Sequence, residues 1–118
     1  MKLSIVGEKS KLFAIRTVRL YQYLTQSAEN KEYVLSKQLL RSGTSIGANV
    51  KEALRAQSRD DFRSKMNIAL KEASETEYWI ELLSETDYIT EKQFNSIIED
   101  IRELIKILVT IVKNTAEQ

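Results

Sequence analysis

The chain runs for 118 residues without a single proline. Proline is the residue that most reliably breaks a helix interior. Its absence allows long helices whose ends are set by polar clusters instead, and four segments follow. The first spans about 10–25. Gln26-Ser27-Ala28-Glu29-Asn30 reads as a loop, with Asn30 as the N-cap of a second segment over about 31–56. Ser58-Arg59-Asp60-Asp61 reads as a cap with acids in the first turn of a third segment over about 59–85. Thr90-Glu91-Lys92-Gln93 matches the S/T-x-x-E/Q capping box and opens a fourth, about 91–113.

Apolar residues recur within these segments at helical spacing. Phe62, Met66, Ala69, Ala73, Thr76, Ile80 and Leu83 advance by fours and threes, a heptad seam with one polar member. Leu35, Leu39, Ser42, Ile46, Asn49 and Ala53 do the same with two polar members, Asn49 reading as a register-setting residue. The fourth segment carries Phe94, Ile97, Ile98, Ile101, Leu104, Ile105, Leu108, Ile111 and Val112. Strand alternation is nowhere sustained. The expectation is an all-α fold: an antiparallel up-down four-helix bundle over 1–118, as one domain.

Composition then narrows function. There is no cysteine and no histidine. That removes disulfides, thiol nucleophiles, Ser-His-Asp triads and Glu-x-x-His metal sites. Glu72, Glu75, Glu77 and Glu81 cluster on one helix, but a di-metal carboxylate site needs histidines and facing acids that the other helices do not supply. Ser42, Thr44 and Ser45 lack a catalytic partner and read as small residues for close packing, and Trp79 reads as a packing anchor. No enzyme, metal or cofactor is expected. The N-terminus has too short an apolar stretch for a signal peptide. Leu104–Val112, interrupted by Lys106, is too short for a membrane span. A cytoplasmic protein with no membrane contact is expected.

The helices carry more apolar surface than one core needs. Leu40, Gly43, Gly47, Val50 and Leu54 lie beside the seam of the second helix, Tyr78 and Leu82 opposite the seam of the third, and Ile107 widens the apolar arc of the fourth. Either the small bundle covers these flanks itself or leaves some of them exposed, or, since exposed apolar patches mark interfaces, these eight are candidates for a subunit contact. Gly43 and Gly47, four apart, would admit a second backbone closely.

The net charge of +1 hides a division. Residues 1–59 hold eleven basic and four acidic side chains, a balance of +7, and residues 60–118 hold seven and thirteen, a balance of −6. Lys37, Arg41, Lys51 and Arg55 fall within roughly 80° of one another on the second helix, and Arg16 and Arg19 add to a looser stripe with Lys9 on the first. Glu77, Glu81 and Glu85 follow at i+4 steps, where like charges repel, so an external partner is expected to relieve them. Any single charge reads as solvated. The pattern admits two further readings: phosphate backbones bind the basic face formed by Arg16, Arg19, Lys37, Arg41, Lys51 and Arg55, or the basic half of one subunit meets the acidic half of the next, head to tail.

The run Tyr33-Val34-Leu35-Ser36-Lys37-Gln38-Leu39-Leu40-Arg41-Ser42-Gly43-Thr44-Ser45-Ile46-Gly47-Ala48-Asn49-Val50, followed by Glu52-Ala53, resembles the signature helix of the 23S rRNA intervening-sequence protein family. Phe62 and then Ile68-Ala69-Leu70-Lys71-Glu72-Ala73-Ser74-Glu75-Thr76-Glu77-Tyr78-Trp79 resemble its third helix. Some members have glycine where this chain has Ala53. The resemblance covers about Phe13 to Val112. It implies a left-handed antiparallel bundle assembling into a homo-oligomeric ring, typically a pentamer. It also implies similarity to the accessory proteins of diversity-generating retroelements, which are pentameric and basic and associate with a reverse transcriptase and nucleic acid. The function expected is a non-enzymatic ring-forming scaffold contacting RNA or another nucleic acid through helices one and two. The alternative is a protein–protein adaptor in which assembly uses up the charge.

Overall fold

The computed structural model describes residues 2–116. Four helices follow in order: α1 Lys2–Gln26, α2 Leu35–Ala53, α3 Arg59–Glu85 and α4 Glu91–Ala116. Sequential neighbours pack side by side and α4 returns to α1, giving an antiparallel four-helix bundle 50 Å long and 21 Å across. No strand occurs among the described residues. The core lies on the axis and takes residues from every helix, among them Val6, Phe13, Leu24, Leu39, Ile46, Met66, Ile80, Leu83, Ile101, Leu104 and Leu108. The seams of α2, α3 and α4 face inward as their spacing requires.

The helix ends show which signals the chain obeys. Ser58 caps α3, its side chain accepting from Asp61 N–H at 3.0 Å. The capping box before α4 closes in both directions, Gln93 N–H to Thr90 Oγ1 at 3.1 Å and Thr90 N–H to Gln93 Oε1 at 2.7 Å. At the end of α3, Tyr88 N–H reaches Leu83 O and Asp87 N–H reaches Ser84 O, while Asp87 takes a left-handed φ of 67°. This is a Schellman closure with aspartate in the place glycine usually fills.

Four boundaries differ from the sequence reading, α4 running three residues further than expected, to Ala116. α1 begins at Lys2, eight residues earlier than expected, because Val6 is fully buried and Ser10 nearly so, carrying the inward face one turn further toward the N-terminus. α2 begins at Leu35 because Glu32, not Asn30, supplies its cap. The buried Glu32 carboxylate accepts from the N–H groups of Val34, Leu35 and Ser36 at 3.1, 2.9 and 2.6 Å. Burial works to raise its pKa, but those hydrogen bonds prevail and hold it below the ordinary value. Asn30 stays in the loop, donating its backbone N–H to Ser27 Oγ and its side-chain amide to Tyr88 O. α2 ends at Ala53, where Arg55 N–H to Glu52 O and Ala56 N–H to Ala53 O tighten into i→i−3 bonds.

Candidate functional site

α2 is held to α1 by close approach and to α3 by polar contacts. A Cβ on Gly43 would lie 2.6 Å from both Cγ2 and Oγ1 of Thr17, and one on Gly47 3.3 Å from Ser10 O. The glycine pair therefore admits α1 of the same chain, which corrects the expected role of Gly43 at a subunit contact, while Gly47 is half-buried beside an open groove. Val50 is a second correction, since it is buried in the core. Across the α2–α3 seam the fully buried hydroxyls of Ser42 and Thr76 hydrogen-bond at 2.8 Å. These two polar seam members pair with each other. Asn49 does not share that role: it is half-buried and its amide donates to Ser45 O of its own helix.

The basic face is thinner than its sequence. Arg41 reaches across to Glu72 and Glu75. The Trp79 indole N–H, 3.0 Å from Glu75, holds the Glu75 carboxyl below the usual range, burial opposes it, and Arg41 adds to the depression. The same contacts, led by the Glu75 hydrogen bond, raise the pKa of Arg41. Arg16 pairs with Asp100 and bonds Ser96 Oγ at 2.9 Å. Two of the six expected phosphate contacts are thus engaged within the chain. Lys37, Lys51 and Arg55 have no carboxylate partner among the described residues, and Arg19 bonds only the Gln22 amide at 3.3 Å. Lys51 shares a shallow groove with Lys11, a cation of α1 that the sequence reading did not select.

The acidic row also finds an internal answer. Arg102 of α4 lies 2.9 Å from Glu77 and 3.7 Å from Glu81. This replaces the expected external partner for those two. Glu85, at the end of the row, is exposed and has no such partner among the described residues.

A run of solvent-facing apolar side chains lies along α1. Its inward face is filled, yet Leu3, Ile5, Leu12, Ile15 and Val18 face solvent, Leu12 at 56% and Ile15 at 48% exposure. α1 and α4 pack least of the four adjacent pairs. A groove of about 530 Å³ opens between them, with Ile15, Leu20, Tyr23, Ile89 and Ile97 among its lining. Its charged lining is Arg16, Arg19 and Lys92, with no acid. Sequence reasoning assigned no apolar face to the first segment, although Leu12, Ile15 and Val18 lie within its 10–25 range; only Leu3 and Ile5 fall before it. Begun at Lys2, the helix shows Ile5, Leu12, Ile15 and Val18 on one arc opposite Phe13 and Thr17.

Of the remaining interface candidates, Tyr78 is 53% exposed on the outer face of α3, with Leu82 half-buried one turn on. Leu54 is exposed, whereas Leu40 and Ile107 are half-buried. Among the described residues no group of three or more Asp or Glu is arranged to hold a metal, and no helix is long and apolar enough to cross a membrane.

The fold and these surfaces define a small antiparallel four-helix bundle protein. Within that class, residues 2–110 match the model of the 23S rRNA-intervening sequence protein family, and the chain belongs to it. It is also similar to a crystal structure of a protein of unknown function from the S23 ribosomal protein family of Bacteroides thetaiotaomicron. The two share 58% identity over 96% of this chain and 99% of that one, with a TM-score of 0.92. No curated protein matches the chain.

Proposed function

We propose that the chain is a non-enzymatic helical scaffold that assembles into a ring of identical subunits and contacts RNA on its α2 face. The observation that carries this reading is the solvent-facing stripe of Leu12, Ile15 and Val18 beside the loosely closed α1–α4 groove. A bundle whose inward faces are already filled gains nothing from these aliphatics alone, whereas a second subunit removes them from water. Five subunits is the number the family resemblance implies.

RNA contact rests on the cations left over after internal pairing: Lys37, Lys51 and Arg55 on or just beyond α2, with Lys11 across the shared groove. Such side chains bind phosphates without reading sequence. The names of the family and of the solved relative both refer to ribosomal components, which favours RNA as the polyanion. Titration against structured RNA at two salt concentrations tests this part. Four phosphate contacts predict a slope of log affinity on log salt of roughly −3 to −4. The combined Lys37→Glu and Lys51→Glu variant is expected to abolish binding, and absence of binding at low salt by the parent chain removes RNA contact from the proposal. The adaptor reading is then the one left standing, and it is favoured by the internal engagement of Arg16 and Arg41.

A further inference from the structure

We infer that the assembling contact is heterologous: the α1–α4 groove of one subunit receives the Tyr78–Leu82–Glu85 ridge of α3 from the next. The inference rests on the self-assembly proposed above and specifies which surfaces meet.

The first argument is chemical complementarity. The groove joins an apolar floor to a charged rim of one sign, Arg16, Arg19 and Lys92. Arg16 is engaged with Asp100, which leaves Arg19 and Lys92 without carboxylate partners among the described residues. An occupant that fits must offer apolar side chains flanked by acids. The outer face of α3 offers Tyr78 and Leu82, one turn apart, with Glu81 and Glu85 beside them. Glu85 has no cation partner among the described residues, and Glu81 is held by Arg102 only at 3.7 Å. Helix-in-groove recognition uses this spacing of anchors.

The second argument is position. α1 ends, α3 ends and α4 begins at the same end of the bundle. Tyr78 lies seven residues before the end of α3, and Arg19 seven before the end of α1, so both sit about 10 Å below that end. Glu85 is the last residue of α3 and Lys92 the second of α4, again at one level. The ridge and the groove lie on different sides of the bundle, separated by α4. Subunits side by side with parallel axes therefore bring ridge and groove together without any rise along the axis. A heterologous contact without rise closes into a ring when its rotation divides the full turn, and one with rise grows into a filament. α2 takes no part in either face, so its free cations stay exposed in the assembly.

Charge exchange tests the inference in the full-length chain. Lys92→Glu and Glu85→Lys each turn one attraction into a repulsion, and the double variant restores an attractive pair with reversed signs. Both changes suit the fold: the new acid falls in the first turn of α4 and the new base in the last turn of α3, where the helix dipole favours them. Measured by sedimentation equilibrium, each single variant is expected to raise the dissociation constant of the assembly on the order of tenfold, and the double variant to return it to near the parent value. An equimolar mixture of the two single variants is expected to associate more tightly than Lys92→Glu alone. Single variants that assemble like the parent overturn this contact while self-assembly stands. A parent chain that remains monomeric overturns both and assigns the groove to another occupant.

Discussion

The two sides of this bundle are built to different degrees of closure. Between α2 and α3 the seam is narrow and self-sufficient. Ala53, Ala69 and Ala73 keep it close, the Ser42–Thr76 hydroxyl pair satisfies its buried polar atoms, and Arg41, Glu72, Glu75 and Trp79 bind its edge. Between α1 and α4, both longer than α2, the helices meet loosely. Lys9–Glu103 and Arg16–Asp100 span the gap at the surface, and grooves open along it. The difference teaches that the interior is complete without help from outside, and that α1 carries the longest run of spare apolar side chains, Leu3, Ile5, Leu12, Ile15 and Val18. Substitutions on the closed side should alter stability, and those on the open side association.

The largest effect is expected where α1 meets α2. Gly43→Val forces a branched side chain into the space of Thr17, which is fully buried and already bonded to Phe13 O. A loss of about 2–4 kcal/mol in denaturant unfolding is expected, and pairing it with Thr17→Ala should recover part of the loss. Next comes the buried hydroxyl pair. Thr76→Val keeps the shape but leaves Ser42 without its cross-helix partner, at about 1–2 kcal/mol.

Glu32→Gln removes the charge that caps α2, for about 1 kcal/mol near neutral pH. Its pH dependence has a definite sign. The folded-state pKa is depressed, so the cap contributes fully above the unfolded value of about 4.5 and is lost as pH falls through the lower folded value. The acid limb of the stability curve should therefore be shallower in Glu32→Gln. The smallest effect belongs to the open side: Lys9→Ala should change monomer stability by less than about 1 kcal/mol, since its pair with Glu103 is solvent-exposed.

The four helices and their inward seams were legible because burial imposes one period on every residue of a helix. Capping by Ser58 and by Thr90 with Gln93 was legible because each cap is local in sequence. The start of α2 was not: Glu32 caps from three residues upstream through its carboxylate, a longer reach than an Asn at the N-cap position. Partner choice was not legible either. The periodicity of α2 gave Gly43 and Val50 a side of the helix but not a neighbour, and that neighbour is α1 or the core. Charge segregation was visible as a count, whereas engagement of Arg16, Arg41, Glu77 and Glu81 depends on which helices stand side by side. The α1 stripe was not read because Leu12, Ile15 and Val18 are interspersed with inward residues such as Phe13 and Thr17, so only exposure in the folded chain separates the two faces.

The central claim is that the α1 face is spare in the monomer and covered in an assembly. The most direct test is the solution mass of the chain at micromolar concentration, by light scattering or sedimentation, with Ile15→Ser alongside it. The account predicts a defined multiple of 13.6 kDa for the parent chain. For Ile15→Ser it predicts a marked shift toward monomer with helicity unchanged. A parent chain of monomeric mass, or a substituted chain that assembles as the parent does, would contradict it.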